Sequence, residues 1–325
     1  MIAFERRAST VLFNVLRGIK PTGVFLLPAN ICPLVPLVFL KAGTPFELVD
    51  IEADNLCMDR LQVLRLLESR PGQYGGVLFA RTYGLGGDFG EFFHAVKAIN
   101  AAYFTIDDRC LCAPAPDAPP EADIDLILYS TGYAKYADIG QGGFGILADG
   151  HSYSRTETRF DPAELAAISL AYKAALDQRT PFCQPDSDWL DTRPPEIDWD
   201  AYRDRIRSET EKMQRHKAML NALYAAGLPD ECQLKESFQQ WRFNILVENR
   251  DELLRAIRQN GLFASNHYAS LAGIFAPGHT PIADRLGRLA VNLFNDRYFD
   301  TERACQLIEV IRVHCKAQHS PSARR

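Results

Sequence analysis

The chain has 325 residues, 47% of them hydrophobic and 24% charged, with a formal net charge of −5 at pH 7. That balance suits a globular protein with room for one large and one smaller domain, and the acidic excess gives no footprint for nucleic acid or an anionic membrane surface. No run of 18 apolar residues exists, so no transmembrane helix is expected, and the first residues are too polar for a secretory signal. The eight cysteines are scattered without a Cys-x-x-Cys pair. Cys110-x-Cys112 has no second pair to complete a zinc site, so reduced thiols in a cytoplasm and no bound metal are expected.

Residues 8–17 place Val11, Leu12, Val15 and Leu16 at helical spacing behind Ser9-Thr10. That pair suits either an N-cap or a phosphate held at a helix N-terminus. A strand over 23–27 leads into Pro28-Ala-Asn-Ile-Cys-Pro33. A helix through Leu40, a strand over 46–49 and a helix over 58–67 follow. A strand over 76–80 ends at Arg81-Thr82-Tyr83-Gly84. The glycines at 84, 86, 87 and 90 have the wrong spacing for a dinucleotide loop and open no first βαβ unit. A helix over 88–99 precedes a strand that ends in Asp107-Asp108. Residues 114–120 are a proline-rich surface loop.

The stretch from Leu128 to Gly145 carries the chemistry. Residues 124–129 read as a buried strand ending at Ser130. Lys135 follows five residues later, then Gly140-Gln141-Gly142-Gly143 and a second apolar run through Leu147. A lone lysine between buried strands suits a Schiff-base amine, desolvated and held to meet a carbonyl. The alternative is a solvated loop lysine. Asp108, at the end of a neighbouring strand, suits a cationic ring nitrogen, and Ser130 suits a phosphate; together they point to pyridoxal 5'-phosphate. Strand–helix alternation up to Leu147 calls for a mainly parallel sheet covered on both faces, with ligands beyond the carboxyl ends of the strands. Pro28, Tyr83, Asp108 and Ser130 all stand at such ends.

Downstream, residues 149–160 are loop, 162–176 helix, and 181–195 a linker rich in proline and aspartate. Residues 198–226 form a long amphipathic helix with Trp199, Tyr202, Ile206, Met213, Leu220 and Leu223 on one stripe. His216 on that helix reads as a surface residue. A strand over 242–247, a helix over 251–259, a strand over 289–293 and a helix over 301–313 complete the pattern. Residues 320–325 read as a disordered tail. The expected division is a cofactor-binding α/β domain over 1–190 and a smaller α+β domain over 191–325.

Ser130, Lys135, Gly140-Gln141-Gly142-Gly143 and Asp107-Asp108 together resemble the sugar aminotransferases of the DegT/DnrJ type, within the fold-type-I pyridoxal-phosphate enzymes. The resemblance extends over most of the chain. It implies a three-layer α/β fold with a small C-terminal domain, a homodimer, and transfer of an amino group from glutamate to a nucleotide-linked keto sugar. It implies that Lys135 carries the cofactor and Asp108 pairs with the pyridine nitrogen. Ser130, Ser9 and Thr10 would hold the phosphate. His267 and Tyr268 fall in the small-domain pattern, where His267 either touches substrate or packs. The sequence departs from the family at several points. Fewer residues precede the first helix, Ser9-Thr10 lacks the family's glycine, no aromatic stands at 30–32, Gln141 replaces a common glutamate, and no Gly-Tyr-Asn-Tyr-Arg segment occurs. A pyridoxal enzyme of lyase or dehydratase type and a non-catalytic homologue remain alternatives.

Overall fold

A seven-stranded sheet occupies the first 147 residues of the computed structural model, which describes residues 1–315. The tail at 320–325 lies outside the described residues. The strands are β1 (Ile2–Glu5), β2 (Val24–Pro28), β3 (Phe46–Val49), β4 (Tyr74–Ala80), β5 (Phe104–Asp108), β6 (Leu126–Ser130) and β7 (Gly143–Leu147). Their spatial order is β1-β7-β6-β5-β4-β2-β3. Helices α1 (Ala8–Ile19), α2 (Leu34–Ala42), α3 (Arg60–Ser69) and α4 (Gly90–Ile99) connect them. β5, β6 and β7 are buried at every residue, as central strands of a two-sided sheet are, and β5 carries Thr105, Asp107 and Asp108 into that interior.

The mainly parallel sheet is the one the strand–helix alternation predicts, with two refinements. Residues 2–5 carry no strand signature of their own, yet form β1, antiparallel to β7. β7 is also antiparallel to β6, so it alone runs against the other strands. No crossover helix is then needed between β6 and β7. Residues 131–142 leave the carboxyl end of β6 and return to the adjacent strand as one loop, and that loop carries Lys135.

Helix α5 (Pro162–Gln178) and the 29-residue α6 (Trp199–Gly227) follow. A three-stranded antiparallel sheet then forms in the order β8 (Phe243–Leu246), β10 (Ala290–Leu293), β9 (Ala264–Ser265). Helices α7 (Arg250–Gln259), α8 (Pro281–Leu289) and α9 (Thr301–His314) accompany it. Each sheet has its own hydrophobic core, and α6 enters both: Tyr202 and Ile206 pack in the first, Leu220 and Tyr224 in the second.

Three local expectations change. The N-cap of α1 is Arg7, with no side-chain cap, so Ser9 and Thr10 stand inside the first turn. The segment 181–195 is no free linker. Trp189, Leu190, Asp191 and Thr192 are buried, Thr10 Oγ1 donates to Asp191 O (2.7 Å), and Lys41 Nζ donates to Ser187 O (2.8 Å). Apolar side chains and satisfied carbonyls hold it to the first core. His216 is half-buried, and its Nε2 lies 2.9 Å from the carbonyls of Asp296 and Phe299.

Gly142 shows how tightly the lysine loop is set against α6. Its φ is +96°, and a Cβ there would stand 2.3 Å from the Tyr202 hydroxyl oxygen. That hydroxyl is 2.5 Å from Thr131 Oγ1 at the other end of the loop. Gly142→Ala would combine left-handed strain with overpacking against a buried ring, and is expected to cost about 2–5 kcal/mol in denaturant unfolding. Gly140→Ala, with equal φ strain but open space around it, should cost about 1–2 kcal/mol.

Candidate active site at the carboxyl ends of the strands

Adjacent carboxylates at the end of β5 have different surroundings. Asp107 is fully buried and accepts from Arg81 Nε (2.9 Å) and Nη2 (2.6 Å), and from Arg109 Nε (2.8 Å). Arg109 continues to Glu121 (2.7 Å). Both oxygens of Asp107 are thus spent on a buried ion network. Asp108 points to the other face of the sheet, as strand alternation requires. Its Oδ1 accepts the Cys110 N–H (2.9 Å), and its Oδ2 has no hydrogen-bond partner among the described residues. Burial pushes the Asp108 carboxyl up, with the Cys110 hydrogen bond and the Lys135 charge opposing.

Lys135 stands in a pinned loop. Asp138, buried, accepts the N–H groups of Ala134 (3.0 Å) and Gly140 (2.8 Å). Thr131 Oγ1 donates to Gln141 O (2.7 Å). Trp241 Nε1 donates to the carbonyl of Ala134 (2.7 Å), a residue with φ of +59°. The lysine side chain is half-buried and has no hydrogen-bond or ion-pair partner among the described residues. Its charge acts on Asp108, Cys32, Cys110 and His267, so these groups lie near it. Burial keeps the thiols of Cys32 and Cys110 protonated, pushing both up against the lysine's influence.

Ser130 is buried, and its Oγ accepts only a long contact from the Gly132 N–H (3.5 Å). A Cβ added at Gly132 would stand 3.7 Å from Ser130 Oγ and 3.6 Å from Arg7 Nη1, so the Ser130 hydroxyl and the Arg7 guanidinium approach the same side of this glycine. Ser9, half-buried, stands in the first turn of α1, and its hydroxyl has no partner among the described residues. Thr10 is fully buried with its hydroxyl proton committed to Asp191 O, so it offers its place in the first turn rather than a donor.

The wall opposite comes from the C-terminal part. Trp241 lies nearly parallel to Tyr83 (centroids 6.4 Å, 8°) and to Tyr268 (6.2 Å, 10°), with His267 beside both (5.9 Å from Trp241). Tyr83 Oη donates to the His267 carbonyl (2.7 Å), and the His267 N–H donates to Asn292 Oδ1 (2.6 Å). The His267 ring reaches solvent through the cleft mouth. The surrounding protein, then the charges of Arg242 and Lys135, push its imidazole down, so it is neutral at physiological pH. Trp241 and Cys32 carry no motif and enter only through tertiary contacts, whereas Tyr83 is one of the strand-end residues the sequence points to. Residues 30–32 are not aromatic, and the rings nearest the Ala134 carbonyl are those of Trp241 and its neighbours Tyr83 and Tyr268. Among the described residues, no His/Cys/Asp/Glu group could hold a metal ion, and no helix is long and apolar enough to cross a membrane.

No protein-family model and no curated protein matches the sequence. Solved structures do match in fold. A DegT DnrJ EryC1 StrS aminotransferase from Brucella abortus superposes with a TM-score of 0.69 at 18% identity, covering 96% of this chain and 85% of that one. The sugar aminotransferase CalS13 from Micromonospora echinospora gives 0.67 at 15%, covering 96% and 87%. DesI, solved in the presence of its TDP-sugar product, gives 0.70 at 14%, covering 96% and 80%. The fold is that of the fold-type-I pyridoxal-phosphate-dependent transferases.

Removing one partner of a buried ion network leaves the others uncompensated. Asp107→Ala should therefore cost about 3–5 kcal/mol by chemical denaturation. Asp108→Asn should behave oppositely. A carboxyl raised in the folded state favours folding most at pH values below its unfolded pKa, and that contribution is lost as pH rises through the folded value. The stability of Asp108→Asn relative to the parent should grow as pH is raised from about 4 toward neutrality. A flat difference across that range would show that Asp108 is not strained by burial.

Proposed function

We propose that the protein is a pyridoxal-phosphate-dependent aminotransferase of the DegT/DnrJ sugar aminotransferase type, moving an amino group from glutamate to a keto sugar carried on a nucleotide. The observation that carries this reading is the pairing of an unpartnered Lys135 amine with the free oxygen of buried Asp108, across one cleft in this fold. Pyridoxal phosphate, when bound, supplies an aldehyde carbon and a protonated pyridine ring that takes up electron density. A buried carboxylate with one oxygen free and no cation in contact suits a pyridinium N–H better than water. Ser130, whose hydroxyl has only one long contact, and Ser9 in the first turn of α1, at the helix's positive end, would hold the phosphate. The Lys135 amine, held by its loop and shielded by the aromatic wall, is placed to take the cofactor covalently and to move a proton at the substrate carbon that bears nitrogen. His267, neutral and at the cleft mouth, and Tyr268 face the substrate.

The fold neighbours' substrates support the nucleotide-sugar assignment by analogy. In this reading residues 1–190 bind the cofactor, residues 191–325 close over it, and the enzyme works in the cytoplasm as a homodimer. Borohydride reduction of the loaded protein should fix the cofactor to the peptide containing Lys135. Lys135→Ala should lose the cofactor's absorbance band while unfolding within about 0.5 kcal/mol of the parent, because the amine makes no contact to lose. Glutamate alone should convert the bound cofactor to its amine form, which a lyase or dehydratase would not do. Attachment at another lysine would overturn the site. Sedimentation at micromolar concentration should give twice the 36.5 kDa chain mass; a lone monomer would remove the dimer.

A further inference from the structure

Lys217, 3% exposed, is the one lysine buried among the described residues, and no carboxylate there forms an ion pair with it. A desolvated ammonium is costly, and an apolar side chain of similar size is often no less stable in its place. Its surroundings show what it holds. Nζ donates to the carbonyl oxygen of Trp241 (2.7 Å) and to Asn295 Oδ1 (2.8 Å), and it lies over the ring of Tyr136, 5.1 Å from the centre. Asn295 in turn donates to Asn221 Oδ1 (2.8 Å), and Asn221 donates to the Gln239 carbonyl (2.8 Å). Met213, Lys217 and Asn221 repeat at the four-residue spacing of one helix face, and Met213 packs with Tyr136 and Ala137. That face of α6 is seated at once against the lysine loop and against the segment ahead of β8.

The contacts meet on either side of Lys135. Trp241, whose carbonyl Lys217 holds, donates its indole N–H to the carbonyl of Ala134 (2.7 Å), the residue before Lys135. Tyr136, whose ring Lys217 faces, is the residue after it. An ammonium has three N–H groups; two meet oxygens, and the third is left for the ring. A neutral amine could serve both oxygens, but only the cation is drawn to an aromatic face. Burial pulls the Lys217 ammonium down to about 7, with the Asp296 charge supporting it and Arg242 opposing it. Arg242 faces it from the segment ahead of β8 and Asp296 from the turn after β10. From the loop it meets the Tyr136 phenol, which burial pushes up and keeps neutral.

We propose that Lys217 is a positioning residue for Lys135, gripping the loop before it through Trp241 and after it through the ring of Tyr136, and that the second grip requires its charge. The consequence for catalysis rests on the aminotransferase reading; the grip itself needs no bound cofactor. An amine that moves a proton at a fixed atom needs its own backbone held to a fraction of an ångström. As pH rises through about 7 the ammonium loses its proton. The ring is then released, while the hydrogen bond to the Trp241 carbonyl is kept.

The test uses the full chain with Lys217→Met and Tyr136→Leu, first without cofactor and then loaded with it. Backbone 15N order parameters at residues 134–136 should stand at about 0.85 in the parent at pH about 6 and fall below about 0.6 in Lys217→Met. Those of β5 should not change, as they would if the lysine only supported the core. In the parent the values at 134–136 should fall between pH about 6 and about 8.5, across the loss of the Lys217 proton. In Tyr136→Leu, residues 134 and 135 should show no such fall and should match the parent's high-pH values throughout. In the loaded protein kcat with glutamate should drop about 10-fold or more in Lys217→Met, with KM changed less than about 2-fold. Unchanged order parameters at 134–136 in that variant, or an equal loss in β5, overturn the assignment, as does a loosened loop with kcat intact. If Lys217→Met does not fold, a pH-dependent fall that persists in Tyr136→Leu overturns it instead. A loop that loosens as expected, in a protein whose cofactor glutamate leaves unchanged, supports the grip and removes the aminotransferase reading alone.

Discussion

The isolation of the Asp108 carboxyl depends on Asp107 being occupied. Two arginines close on that carboxylate in the interior, and neither is then available to the acid that follows it. Were Arg81 or Arg109 free to reach across, Asp108 would sit in an ion pair with no oxygen to offer. The network also fixes the end of β5 against the turn after β4, because Arg81 lies in that turn and its Nη1 donates to the Gly87 carbonyl. One buried pairing thus sets the backbone and protects the isolation of the neighbouring side chain. A carboxylate held desolvated and unpaired costs stability, and functional sites are where proteins carry such costs.

The first half of the site was legible because its logic is local. Ser130, Lys135 and Asp108 each follow an apolar run, and a parallel sheet brings strand ends together whatever the rest of the chain does. The strand alternation that sends Asp107 to one face and Asp108 to the other is also a local property. The arginines that distinguish the two acids could not be assigned from spacing. Arg109 is adjacent in sequence, but Arg81 arrives from another strand through the pairing of Phe79 with Asp107 and Ala80 with Asp108.

The second half was not legible for a related reason. Trp241 and Arg242 stand at the end of a mostly polar stretch ahead of β8 that carries no motif, and only tertiary packing brings them against Ala134 and His267. No aromatic stands at 30–32, and the stacked rings of Trp241, Tyr83 and Tyr268 come together only in three dimensions. β1 was missed because four residues at a sheet edge make no pattern. The segment 181–195 has a linker's composition, yet Trp189 and Leu190 bury it; a proline-rich sequence limits regular hydrogen bonding but does not prevent packing.

Helix α6 adds a property that concerns time rather than geometry. It spans about 43 Å at 1.5 Å per residue, and its two ends are built into different cores. Tyr202 near its start holds the lysine loop through Thr131, and Lys217 further along holds the backbone of Trp241. A partial opening that freed either contact would have to unpack a core around a rigid rod rather than lift a surface loop. In amide-exchange terms, the backbone around the lysine and the aromatic wall belongs with the slowly exchanging interior, not with the fraying elements that lids are drawn from. The walls around the lysine then stay assembled as one unit, and access is left to side chains at their edge.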